Sequence, residues 1–251
     1  MIHESGVLVE ACVDSVTGAL AAMEGGARRL ELCAGLLEGG LTPSAGLLET
    51  VRLHVSETLY VLIRPRGGDF LYDSEEMIVM LRDIGEAKRR GAHGVVLGVL
   101  SADGRVDTKR TETLINAARP LEVTFHRAFD LTRDPAEALD ALIALGVDRV
   151  LTSGQATTAE EGIPEIARIV KQAAGRIAVL AGGGINEGNA ARIVRETGVR
   201  EIHVRGGRAT GSAMTFRRAG VFLGKHDAPD EYRRVETVAA RVKAIVAAVN
   251  G

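Results

Sequence analysis

The chain has 251 residues, 46% of them hydrophobic, 25% charged and only 3% aromatic, with a formal net charge of -2. That composition excludes the basic, aromatic-interleaved surface of a nucleic-acid binder, and no run approaches the roughly 18 apolar residues of a membrane span. Cys12 and Cys33 are too few to staple a secreted scaffold, and a start carrying Glu4, with neither a basic segment nor a long apolar run, is unlike a signal peptide, so a cytoplasmic location is expected.

Short β-branched runs alternate with longer amphipathic stretches eight times along the chain. The expected strands are Val7–Val13, Arg29–Cys33, Leu59–Arg64, Gly94–Leu100, Glu122–Ala128, Arg149–Ser153, Ile177–Ala181 and Glu201–Arg205. Ser74 before Glu75 and Glu76, Asp134-Pro135, and Asn186 before Glu187 mark helix starts, being residue types that cap free N–H groups or preset the first turn. Gly91, Gly146 and Gly198 close helices ahead of the next strand. A last helix is expected over Pro229–Val249. This repetition predicts a parallel sheet with right-handed crossovers. Eight units in one domain, residues 1–251, favour the α/β class and a closed (β/α)₈ barrel with an extra C-terminal helix; an open doubly wound sheet is the alternative.

In such a barrel the helices cover the outer strand faces, so charged residues near strand ends turn inward and up. Alternation by two then places Leu8, Glu10 and Cys12 together, Glu31 with Cys33, and Tyr60 with Leu62 and Arg64. It also groups Thr124 with His126, and Glu201 with His203 and Arg205, while Arg66 and Asp69 follow in a glycine-rich loop. A polar mouth results. Glu10 and Glu31 could simply pair with Arg64 and Arg66 as a scaffold network, but so many polar groups at one rim point to a pocket.

The repeat Glu10-Ala11-Cys12 and Glu31-Leu32-Cys33 would set two thiols at matching heights on adjacent strands. Soft thiolates select Cu(I), with His203 or His126 as a further ligand; inert buried cysteines are the plainer alternative. Met77 and Met80, at helical spacing, belong to the core. Gly183 and Gly184 after the seventh strand, with Gly206-Gly207, Arg205 and Arg208 after the eighth, fit an anion site, since loops there often bind phosphate. Arg64 and Arg66 would clamp the same anion. Glu10, Glu31 and His126 are the acid–base candidates. None of the lysines lies at a strand end, which argues against a Schiff-base aldolase.

Several strings are shared with one family. Glu31-Leu32-Cys33, Glu38-Gly39-Gly40-Leu41-Thr42-Pro43-Ser44, Ile63-Arg64-Pro65-Arg66-Gly67-Gly68-Asp69-Phe70, Val123 to Asp130, and Leu151-Thr152-Ser153-Gly154-Gln155 resemble the CutC family over essentially the whole length. The resemblance implies a TIM-like barrel, a cytoplasmic homo-oligomer (dimer or tetramer), and copper handling with cysteine-based Cu(I) binding proposed for some members. The chain departs from the pattern at His203-Val204-Arg205-Gly206-Gly207, where many relatives carry Ser-Ala, and at Leu71, where some carry cysteine.

Two functional expectations follow. One is a copper homeostasis protein binding Cu(I) through Cys12 and Cys33 with help from His203. The other is an enzyme of unknown reaction on a small anionic metabolite, using Arg64, Arg66, Glu10, Glu31 and His126. A third, a scaffold acting through an interface at the last helix and Phe216–Phe222, leaves the polar mouth unexplained.

Overall fold

A computed structural model describes residues 6–221, 223 and 231–251; Glu4, Phe222, Lys225 and Pro229 lie outside them. All eight expected strands form: β1 (Leu8–Val13), β2 (Arg29–Leu32), β3 (Thr58–Leu62), β4 (Gly94–Leu97), β5 (Glu122–Phe125), β6 (Arg149–Thr152), β7 (Ala178–Gly182) and β8 (Glu201–Val204). They pair in parallel in chain order and β8 closes on β1, giving a barrel. The open doubly wound alternative is thereby excluded.

The helices are α1 (Val16–Glu24), α2 (Ala45–His54), α3 (Ser74–Arg89), α4 (Thr108–Ala118), α5 (Pro135–Ala144), α6 (Ile163–Ala173), α7 (Ala190–Thr197) and α8 (Ala239–Asn250). Asp73, one residue ahead of the expected Ser74, caps α3, and its side chain and Glu76 satisfy each other's backbone N–H groups. Asp134 caps α5 as expected. Asn186 instead shapes a turn, accepting from the Gly188 N–H, and α7 starts later. The expected C-terminal helix is present as α8, packed on α1 and α7 as the eighth member of the ring. Part of its expected N-terminal half is strand instead: β10 (Arg233–Thr237) pairs antiparallel with β9 (Gly207–Gly211). This long-range pairing overrides a local pattern that runs on smoothly into α8.

Alternation sorts the core into two regions. Outward residues such as Val9, Ala11, Leu30, Val61, Val95, Phe125 and Ile202 join the helices in the main apolar layer. Inside the barrel the apolar cluster is small: Cys12, Cys33, Tyr60, Leu62 and Val96. Leu151 and Leu180 share the inward parity, and polar and charged side chains fill much of the rest, where many barrels carry layers of branched aliphatics.

Candidate functional site

The barrel floor is an ion network. Arg29 on β2 bonds Glu10 on β1, directly opposite in register, and reaches Glu201 on β8 at 2.6 Å. Arg149 on β6 also bonds Glu201, donates to the Tyr60 hydroxyl at 3.1 Å and lies 3.4 Å from Glu122. The Tyr60 hydroxyl in turn donates to Glu122. Gly94 on β4 makes room for the Tyr60 ring, which a Cβ there would meet at 2.6 Å. Burial by itself would raise the Glu10 carboxyl, but Arg29 and His203 outweigh it and hold Glu10 well below the usual carboxylate range. Burial likewise opposes ionisation of Glu201, and Arg29 and Arg149 again prevail.

Above the floor sits a cluster of Cys12, Glu31 and His203, whose ligating atoms all lie within 4.8 Å of one another. Register sets Cys12 opposite Glu31, so Cys33 stands one inward step higher than the matched height expected from the sequence. The thiols nevertheless meet on the diagonal, Sγ to Sγ 3.5 Å. Both cysteines are free. The bond to Cys33, with burial, holds the Cys12 thiol well above its ordinary pKa. The His203 imidazole bridges two carboxylates, Nδ1 at 2.7 Å from Glu10 and Nε2 at 3.5 Å from Glu31. Burial works against its cation, yet Glu31, Cys12 and Glu10 push its pKa well above the ordinary value. Glu31 is raised, chiefly by burial, with Glu10 adding repulsion. The two carboxylates around one imidazole are thus driven apart, Glu10 ionised and Glu31 the better proton holder.

Over this cluster opens a cavity of about 490 Å³, bordered by Cys12, Glu31, Arg64, His126, Gly183, Gly184, His203 and Arg205 among others. His126 is buried and follows the end of β5; its Nδ1 accepts from the Ala128 N–H at 3.1 Å. The neutral ring therefore carries its proton on Nε2, which has no hydrogen-bond partner among the described residues. Burial, with Arg64 nearby, pushes the His126 pKa down to about 3. Gly98, the residue after β4, leaves the space its ring occupies.

The structure thus brings Glu31, Cys12, His203, Arg64, His126, Gly183, Gly184 and Arg205 to one cavity. Glu10 lies behind His203, and Cys33 is fully buried beside Cys12. Arg64 clamps two loops, donating to the carbonyls of Glu38, Gly40 and Gly68. Arg66 is not on the cavity: its guanidinium is committed to Glu76, Asp69 and the Leu71 carbonyl. Sequence reasoning missed Arg127, whose guanidinium borders the cavity while bonded to Asp130 and Ser153. Parity from His126 sends Arg127 outward, but the strand ends at Phe125 and a short 3₁₀ turn folds it over the mouth. The floor arginines were missed too, although Arg29 shares parity with Glu31.

Comparisons with known proteins agree on one family. The model of the CutC family matches residues 7–208. A copper homeostasis protein cutC homolog of Mus musculus is 47% identical over 241 residues, covering 96% of this chain and 89% of that protein. A family protein CutC of Bacteroides thetaiotaomicron is 50% identical over 234 residues, covering 93% and 94%. Among solved structures, one assigned as the copper homeostasis protein CutC of Streptococcus agalactiae superposes with a TM-score of 0.76 at 34% identity, covering 79% of this chain and 98% of that one.

Proposed function

The chain belongs to the CutC family, and on that premise we propose that it is a copper homeostasis protein taking Cu(I) as cargo on the thiols of Cys12 and Cys33. The observation that carries this reading is the free thiol pair 3.5 Å apart, with Cys12 bordering the open cavity and Cys33 buried directly beside it. Two sulfurs with an adjacent imidazole suit a soft monovalent ion, whereas hard cations require a cage of oxygens. Glu31 supplies compensating negative charge beside the thiols. His203 becomes a third ligand only by giving up its proton and one of its carboxylate contacts, so the two sulfurs bind first. Reduced thiols suit a cytoplasmic setting, and the exposed Met214, Phe216, Val221 and Leu223 suit a homodimer or homotetramer. No described helix is long and apolar enough to cross a membrane.

The test is an anaerobic Cu(I) titration against a competing chelator. Wild type is expected to bind one equivalent, and the Cys12→Ser/Cys33→Ser variant to lose it. Undiminished binding in the variant overturns this assignment.

A second reading is favoured by the cavity itself, which at about 490 Å³ is far larger than one ion needs and falls in the range of small-molecule sites. It is an enzyme on a small anionic metabolite, held by Arg205, Gly183 and Gly184 with Arg64 shaping the wall. Glu31 and His126 face the ligand, and Glu10 acts through His203. Arg66 drops out of the clamp because it faces away. A thermal-shift screen in which no small anion stabilises the protein would sink this reading, since a bound ligand must raise stability by mass action.

A further inference from the structure

The loops after β7 and β8 present donors that have no acceptor among the described residues. Gly183 and Gly184 take φ of +105° and +71°, a left-handed region that glycine enters without strain. Their carbonyls are committed: Gly183 O accepts from the Ala159 N–H at 2.8 Å, and Gly184 O from the side chains of Asn186 and Asn189. The N–H groups of Gly183, Gly184 and Ile185, and across the gap that of Arg205, donate to no group among the described residues. All four residues border the cavity.

Two guanidiniums flank these amides. A Cβ on Gly183 would lie 3.4 Å from Arg127 Nη1, so the glycine lets the backbone lie flush against that group. Arg127 uses Nε and Nη2 for Asp130 and Ser153, leaving Nη1 toward Gly183. Among the described residues Arg205 makes only long contacts, 3.3 Å to the Val235 carbonyl and 3.9 Å to Asp14. Four amides and two guanidiniums exceed what the two oxygens of a carboxylate accept, and they match the oxygens of a phosphate.

An independent observation comes from another residue on the same cavity. His126 is 5% exposed, its ring borders the same space, and its Nε2 is without a partner among the described residues. A buried donor left unsatisfied is costly to a folded chain. A neutral N–H asks for an oxygen acceptor such as a carbonyl or hydroxyl, and the volume leaves room for a short carbon body between this oxygen and the phosphate.

We propose that the β7 and β8 loops form a phosphate cradle, and that the cavity takes a small phosphomonoester whose organic part offers an oxygen acceptor to His126. This rests on the second reading above, that the cavity takes a small anion. The cradle lies above the thiol cluster and uses neither cysteine.

The test is calorimetric and thermal-shift titration of the full metal-free chain with inorganic phosphate, glycerol 3-phosphate and ribose 5-phosphate. Malate and citrate serve as carboxylate controls. Phosphomonoesters are expected to bind more tightly than inorganic phosphate, to weaken about tenfold or more in Arg205→Gln, and to shift the His126 Nε2 resonance. Binding by carboxylates alone overturns the cradle while leaving the anion reading standing; binding by neither removes both. Phosphomonoester binding that is unchanged in Arg205→Gln, with a silent His126 resonance, shows an adventitious ion only and also overturns the proposal.

Discussion

Replacing Glu201 by alanine removes the carboxylate that Arg29 and Arg149 share at the barrel floor. Arg29 keeps Glu10, and Arg149 keeps the Tyr60 hydroxyl and the more distant Glu122, but the two guanidiniums then repel without an anion between them. Removing one partner of a buried pair costs about 3–5 kcal/mol. The surviving Glu10 contact places this case near the lower end, about 3 kcal/mol. At roughly 2–4 °C per kcal/mol for a chain of this size, Tm should fall by about 6–12 °C. The pH dependence has a definite sign. The Glu201 pKa is depressed in the fold, so its contribution is complete above the unfolded carboxyl pKa and is lost as pH falls through the folded value. Urea denaturation followed by circular dichroism should therefore show the full gap at pH 7 and a narrowing gap only below about pH 4. A loss under about 1 kcal/mol, or a gap that widens in acid, would refute the claim that this network holds the barrel floor together.

Cu(I) affinity should rise with pH by about one decade per unit for each thiol proton displaced, because copper binds the thiolate. The raised Cys12 pKa extends that slope through neutrality, and a flat profile between about pH 6 and 8 would remove Cys12 from the site. His126 should show the neutral Nε2–H tautomer throughout that interval in nitrogen-edited NMR, with no titration near its ordinary value of about 6.5. Its folded pKa, about 3, lies below the unfolded one, so stability drains by about 1.4 kcal/mol per unit as pH falls from about 6.5 toward 3.

The strand and helix order was legible because the outward strand faces are largely apolar and several helices carry their own start or stop signals. The strand ends were not. Leu59–Arg64 ends in the structure at Leu62 and Glu122–Ala128 at Phe125, because the backbone leaves the ladder where it bends over the mouth. Arg64 stays inward, its N–H bonded to Thr42 Oγ1, whereas Arg127 reverses its side. Register was likewise unreadable: the echo of Glu-x-Cys suggests level thiols, and the barrel's stagger lifts Cys33 one step. The thiol contact survives because sulfur reaches across the diagonal. Arg66 sits in the same string as Arg64, yet the capping glutamate of α3 draws it away. A loop arginine has many carboxylates within reach, and sequence does not rank them.

Glu10 and Glu31 look interchangeable in the sequence, and the structure separates them. Glu10 bonds Arg29 and His203 at once. Glu31 has His203 at 3.5 Å as its ion-pair partner and otherwise faces Cys12 and the cavity. Glu10→Gln therefore leaves the buried Arg29 guanidinium with Glu201 as its remaining carboxylate and loosens an imidazolium, a loss of about 3 kcal/mol. Glu31→Gln removes a carboxylate whose pKa the fold raises. A raised carboxyl pKa means that the ionised group destabilises the fold at neutral pH, where the unfolded chain ionises freely. The substitution should then be neutral or mildly stabilising at pH 7, and that advantage should fade as pH falls and Glu31 protonates. Paired urea titrations of the two variants at about pH 7 and pH 5, spanning the ordinary carboxyl range from above, measure the difference directly. Equal losses in both variants would mean that Glu31 is as firmly built into the floor as Glu10, and the cavity would lose its acid–base candidate. A large loss confined to Glu10→Gln would leave Glu31 as the carboxyl free to exchange a proton with whatever enters the mouth.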